Sequence, residues 1–202
     1  MKNCLVVFLL LLPFSFILSQ NVDIAMLRAI NNGRNEQLDP SFRFVTNSAA
    51  PLAIGVPVIL FSTGLIKKDT LGINKALYVG ASVLSAAVIT NILKYTIDRP
   101  RPFETYPDIE KATHAGSPSF PSGHTSDAFS LATSLSIAYP KWYVIVPSYA
   151  WAMTVAYSRM HLGVHYPSDV LAGALVGAGS AYLCYKGQQW LTQKRHIIKK
   201  GF

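Results

Sequence analysis

Five long apolar stretches limit what this 202-residue chain can become: Pro51 to Ile66, Ile73 to Leu93, Ser122 to Tyr139, Trp142 to Ser158, and Ser168 to Tyr185. All are long for strands, and the Gly, Ala and Ser scattered along them suit close helix–helix contact. The expected fold is an all-α helical bundle. Most stretches run about 16–18 residues, at the short end of the roughly 20 that cross a bilayer as a helix. Half the residues are apolar and 14% are charged, against about 25% charged in an ordinary soluble domain.

Charge placement favours spanning. Lys67, Lys68 and Lys75 surround the first link, Lys141 lies in the third, and Lys186, Lys194, Arg195, Lys199 and Lys200 follow the last stretch. If these regions are cytoplasmic, as the positive-inside tendency requires, the alternate links Lys94 to Pro121 and Arg159 to Pro167 both face the periplasm. The net charge of +8 raises the question of a nucleic-acid partner. No dense basic stripe interleaved with aromatics is present, however, and the cations fall at the ends of apolar runs. Membrane topology and an anionic substrate account for them better.

Residues 1–20 carry a lysine, an apolar run from Leu5 to Leu18 and then Ser19 and Gln20, the pattern of a secretory signal peptide or a first membrane helix. Either brings the expected number of spans to five or six. Residues 21–50 form a polar, partly amphipathic segment expected on the periplasmic side, residues 51–186 the helical-bundle domain, and residues 187–202 a basic cytoplasmic tail. Cys4 and Cys184 form neither a disulfide framework nor a metal-type spacing.

Three polar clusters interrupt the apolar pattern, all on the expected periplasmic side. Lys94, Arg99 and Arg101 end the second stretch beside two prolines. Arginine forks bind phosphate oxygens in pairs and lysine supplies a point charge, although cations at helix ends also serve as interfacial anchors. Pro121-Ser122-Gly123-His124 opens the third stretch. Ser122 fits an N-cap, Gly123 admits a ligand close to the backbone, and a helix start binds anions through its free N–H groups. Arg159, His161, His165 and Asp169 join the fourth and fifth stretches. A nucleophilic histidine must be neutral at the attacking nitrogen, and Asp169 is placed to accept the other ring N–H of His165. His161 reads better as a structural or supporting residue than as a reacting one.

The order Lys-x6-Arg-Pro, Pro-Ser-Gly-His, Ser-Arg-x5-His-x3-Asp resembles the signature of the type 2 phosphatidic acid phosphatase superfamily, and every signature position is filled. The motifs run from Lys94 to Asp169, and the resemblance extends over Pro51 to Tyr185. It implies that 51–186 is a phosphatase domain. It also implies that Lys94, Arg101, Arg159, Ser122 and the Gly123 N–H hold the phosphoryl group. His165 would then attack phosphorus with Asp169 orienting it, and His124 would protonate the leaving alcohol before activating water. No metal or other cofactor is implied. Arg99 is not a signature position and is left as a possible substrate contact.

The implied activity is hydrolysis of a phosphate monoester, or a diphosphate, of a lipid at the periplasmic face of a bacterial inner membrane. Secreted soluble acid phosphatases and vanadium haloperoxidases share the signature, and a non-catalytic membrane binding protein could keep the fold. A leader fits the first of these. The haloperoxidases are larger, and the filled signature speaks against loss of catalysis.

Overall fold

The computed structural model describes residues 21–200, with side chains through Leu191. The leader expected over residues 1–20 lies outside them. Every regular element among the described residues is helical. Residues 21–31 form α1, and a 3₁₀ turn at Glu36–Leu38 leads into α2, Asp39–Asn47. The bundle consists of α3 (Ala49–Ile66), α4 (Thr70–Ile97), α6 (Gly123–Ala138), α7 (Trp142–His161) and α8 (Pro167–Lys200), with a single turn α5 at Pro102–Thr105. All five expected stretches are therefore helices. The second, fourth and fifth run further than their apolar cores, because polar residues at a helix end cost little where the end is capped or solvated.

Local chemistry sets the boundaries. Asp69 caps α4 by accepting from the Leu71 N–H at 3.1 Å. α4 ends at Asp98, which takes the left-handed conformation, ahead of Pro100 and Pro102. The turn between α7 and α8 requires Gly163, at φ +69°, where a Cβ would lie 2.2 Å from the Glu110 carbonyl oxygen.

α6 is the central helix and packs against α3, α4, α7 and α8. Its approach to α8 is close enough that a Cβ on Gly177 would fall 2.3 Å from the Ser126 carbonyl oxygen. The core is small-residue and hydroxyl-rich: Ala128, Ala132, Ala152 and Val155 form one buried cluster, and Thr90 donates to Ser126 across α4 and α6 at 2.8 Å. Such contacts suit helices in lipid, where close approach and hydrogen bonds replace the hydrophobic drive for association.

The outer faces remain apolar, with Ile54, Val58, Ile59 and Ile66 of α3 and Leu77, Leu84 and Ile92 of α4 all exposed. Among the described residues two helical segments are long and apolar enough to cross a membrane, Glu36–Ile66 and Thr70–Thr105. α6, α7 and α8 are expected to span as well, but α6 has 16 residues, short of a full span, and polar and small residues along α7 and α8 lower their apolar character. The basic links lie together at one end, where the Lys75 ammonium sits 4.6 Å from the centre of the Tyr139 ring. At the opposite end converge the C-terminal turns of α4 and α7 and the N-terminal turns of α6 and α8.

Candidate active site

The three polar clusters meet at that opposite end. Lys94, in the last full turn of α4, is buried and donates to the Pro118 carbonyl at 2.6 Å. Arg101 is fixed by backbone oxygens on two sides, Ser117 through Nε and Val164 through Nη1, both at 2.7 Å. Arg159, in the last turn of α7, is 2% exposed and donates from Nη1 to Thr46 of α2 at 2.9 Å. Its Nε has no hydrogen-bond partner among the described residues. Three cations gathered around one point, one with a buried unpaired donor, call for an anion there.

The start of α6 completes the cradle, though not as a capping serine would. Ser122 holds the N-cap position without a side-chain bond to the backbone. Its hydroxyl instead accepts from Thr125 at 2.9 Å, which leaves the Ser122 O–H free to donate elsewhere. The first-turn N–H groups of α6 remain available to an anion. A Cβ on Gly123 would make only ordinary contacts, 3.8 Å to Lys94 Cε and 3.9 Å to Thr90. Packing therefore tolerates a side chain at 123, but it would occupy the space beside the Lys94 ammonium stem.

His165 lies in the turn before α8, 1% exposed. Its Nε2 is 3.3 Å from Arg101 Nη1 and its Nδ1 is 3.4 Å from Asp169 Oδ2. A guanidinium can only donate, so Nε2 is the unprotonated nitrogen and Nδ1 carries the proton toward Asp169. The Nδ1–Oδ2 separation is longer than a formed hydrogen bond, within the range that tightens on substrate binding. Burial pushes the His165 pKa down to about 3, against the opposing pull of Asp169. The ring is therefore neutral at ordinary pH, with its lone pair on Nε2, among the cations.

Asp169 occupies the third position of α8, where its Oδ2 accepts the Tyr166 N–H at 3.0 Å in the manner of a capping box. Oδ2 also accepts from the Ser119 hydroxyl at 2.5 Å, and Oδ1 from Arg99 Nη1 at 2.6 Å. Arg99 thus faces away from the anion cradle. It bonds Ser168 at 2.7 Å and Asp23 of α1 at 2.8 Å, and its guanidinium stacks on the Tyr166 ring at 3.9 Å. Asp23 in turn accepts the Ser168 N–H at 2.8 Å and its hydroxyl, capping α8 from a helix far away in sequence. His161 also stands behind the site. Its Nε2 meets Asp39 at 2.9 Å and its ring packs on Phe42 at 4.3 Å, so it fastens α7 to α2.

His124 has no hydrogen-bond partner among the described residues and faces an open cavity of about 620 Å³ that Arg159, Arg43, Asn47, Lys111 and His114 also line. Ser119, Thr46, Asp23 and Asp39 escaped the sequence reading. Single serines, threonines and aspartates in polar segments carry no spacing signal, and only the fold brings them to the motif residues.

A family description, PAP2 superfamily, matches residues 75–193. A lipid A 4'-phosphatase of Bacteroides thetaiotaomicron is 36% identical over 77 residues, 38% of this chain and 34% of that protein. The undecaprenyl-diphosphatase BcrC of Bacillus subtilis is 28% identical over 152 residues, 75% of this chain and 76% of the relative. Coverage of the curated relatives thus ranges from about a third of their length to most of it. Among solved structures, Aquifex aeolicus LpxE superposes with a TM-score of 0.72 at 28% identity, covering 82% of this chain and 95% of that one. The transmembrane PAP2-type phosphatidylglycerolphosphate phosphatase of Bacillus subtilis superposes with a TM-score of 0.69 at 26% identity, covering 94% and 97%. The fold, the family match and the convergence of all three motifs agree: this chain belongs to the PAP2 superfamily.

Proposed function

We propose that the chain hydrolyses a phosphate ester or diphosphate of a lipid through a phosphohistidine intermediate, at the periplasmic face of the inner membrane. The observation that carries this reading is the state of His165: neutral, with its free Nε2 beside Arg101 and its Nδ1–H directed to Asp169.

In the first step Nε2 attacks phosphorus, and the bond from phosphorus to the leaving oxygen breaks as His124, charged once the bound phosphate offsets Arg159, Arg101 and Lys94, gives that oxygen a proton. Lys94, Arg101, Arg159, Ser122 and the Gly123 N–H bind the three remaining phosphoryl oxygens, whose charge shifts in the transition state. Asp169 stabilises the positive charge that phosphorylation places on the imidazole. In the second step His124 takes a proton from water, the oxygen attacks phosphorus, and the P–N bond breaks to restore His165 and release inorganic phosphate.

Three features favour a lipid as substrate: the apolar outer faces of α3 and α4, the position of the site at the bundle end opposite the basic links, and the lipid-phosphate activities named for both relatives. The positive-inside tendency favours a site outside the cytoplasm.

The test is phosphate release by isolated membranes with excess chelator, on phosphatidate, phosphatidylglycerophosphate, undecaprenyl diphosphate and a soluble aryl phosphate. Chelator-resistant release that prefers a lipid, with an acid-labile phosphoenzyme absent from His165→Ala, is the expected result. Activity confined to the soluble fraction and to the aryl ester would replace this reading with a secreted acid phosphatase.

A further inference from the structure

We propose that Asp127 of α6 is a positioning residue for the proton-donating step: its carboxylate holds the ring of His124 and turns it toward the leaving oxygen. This rests on the phosphohistidine reading, in which His124 is the acid, and adds a residue that lies outside the three motifs.

Helix geometry makes the two side chains neighbours. Residues three apart on a helix have Cβ atoms about 5–6 Å from each other. Helical side chains lean toward the N-terminus, so Asp127 reaches back toward His124. Both belong to the side of α6 that faces α3. Ala128, one turn after His124, clusters with Ala49 of α3, and Leu131, one turn after Asp127, clusters with Ala53. His124 lines the open cavity, whereas Asp127 does not. One turn deeper in the bundle, the carboxylate stands behind the imidazole as Asp169 stands behind His165.

Charge supplies the reason. Asp127 is half-buried and has neither a hydrogen bond nor an ion pair among the described residues. An ionisable side chain inside a membrane bundle is costly and is kept where it pairs with another group. The other acids around the site are already engaged: Asp169 with Arg99 and Ser119, Asp39 with Arg34 and His161, and Glu110 with Arg34. Lys94, Arg101 and Arg159 meanwhile oppose a positive charge on the His124 ring. A carboxylate one turn away offsets them and can accept the ring N–H that faces away from the substrate. The other nitrogen then carries the proton that passes to the leaving oxygen. Asp127 and His124 are not bonded to each other as they stand, and catalytic hydrogen bonds often close only when substrate binds. A helix-dipole role explains Asp127 less well, because that effect fades beyond the first turn and Asp127 is the fifth residue of α6.

The experiment uses the full chain in neutral-lipid vesicles and compares a lipid phosphate with an aryl phosphate whose leaving oxygen needs no proton. Asp127→Asn keeps the size of the side chain and removes its charge. A charge-assisted hydrogen bond is worth roughly ten- to a hundredfold, so kcat on the lipid should fall at least about tenfold with KM little changed. The loss on the aryl ester should be at most about threefold. Asp127→Glu, which keeps the carboxylate, should recover part of kcat. On a His124→Ala background Asp127→Asn should cost nothing further, because it acts through the missing ring. Should Asp127→Asn fail to fold, Asp127→Ser carries the same comparison. The ¹⁵N ring signals of His124 in the unaltered chain need no variant of Asp127, and with inorganic phosphate bound both nitrogens should be protonated. The proposal is overturned if Asp127→Asn matches the parent, loses equally on both esters, or costs as much without His124 as with it. A His124 ring that stays neutral with phosphate bound overturns it too. If His124→Ala itself loses equally on both esters, the acid role of His124 falls and the proposal with it.

Discussion

Arg99 is the residue whose role changes most once the fold is known, and its replacement distinguishes two roles. As a substrate contact it would act on KM. As placed, it holds Asp169 Oδ1 at 2.6 Å and Asp23 at 2.8 Å and does not line the cavity. Arg99→Ala removes one of the charge-assisted bonds that fix the Asp169 carboxylate, and leaves Ser119 and the Tyr166 N–H on the other oxygen. A bond of that kind is worth about 1.5–3 kcal/mol, so kcat should fall about ten- to a hundredfold with KM little changed. Stability should fall too, because the Asp23 and Asp169 carboxylates, 7% and 0% exposed, lose their shared cation. Breaking a fully buried pair costs about 3–5 kcal/mol, and the 23% exposure of the Arg99 side chain puts the expected loss at or below the low end. Arg99→Lys should recover part of the stability but little of the rate, since one ammonium cannot span both carboxylates and Ser168. Steady-state kinetics on a lipid and on an aryl phosphate, with thermal unfolding in the same detergent, decide the matter. An Arg99→Ala enzyme that raises KM tenfold at unchanged kcat, or that melts and turns over as the parent does, refutes the positioning argument.

His124→Ala should slow lipid hydrolysis by about 10²- to 10⁴-fold, and the loss should be smaller for an aryl phosphate with an acidic leaving group, which needs no proton. Equal losses on both would remove His124 from the leaving-group step. Because the native His165 pKa lies near 3 against 6.5 for a free imidazole, the unfolded state binds a proton that the folded state does not throughout that interval. Stability should therefore drop as pH falls from about 6.5 toward 3, by up to about 1.4 kcal/mol per pH unit from this group, and His165→Gln should remove that share of the slope in chemical-denaturation titrations. The same depression keeps His165 from setting any acid limb of kcat/KM above pH 4, which a pH–rate profile checks. Gly123→Ala should fold and melt like the parent yet lose activity. Gly163→Ala should lower the melting temperature, because its Cβ would lie 2.2 Å from a carbonyl oxygen at a positive φ.

The bundle was legible because lipid-facing and buried helices announce themselves by composition. Each expected stretch, from Pro51–Ile66 to Ser168–Tyr185, lies almost wholly within an observed helix. The signature residues were legible because their chemistry needs fixed spacing at helix ends: four residues from His165 to Asp169 place both in one turn. The supporting network was not. Ser119, Asp23, Thr46 and Asp39 act across separations of 50 to 145 residues, and no periodicity connects partners that far apart. Ser122 shows a subtler limit. The sequence places it at the N-cap, but the Thr125 hydroxyl competes for its oxygen, and local propensity does not report that competition.

The carboxylate capping α8 comes from α1, 145 positions earlier. Asp169 is thus braced by the first described helix and carried by the last. During synthesis α1 must wait, with Asp23 lacking the Ser168 donors and Arg99 holding a single acid, until α8 arrives. A chain arrested before Pro167 would possess the cradle of cations and His124, yet lack the carboxylate that faces His165 Nδ1. Under the proposed mechanism hydrolytic competence begins only after α8 has docked, which makes activity itself a readout of completed assembly.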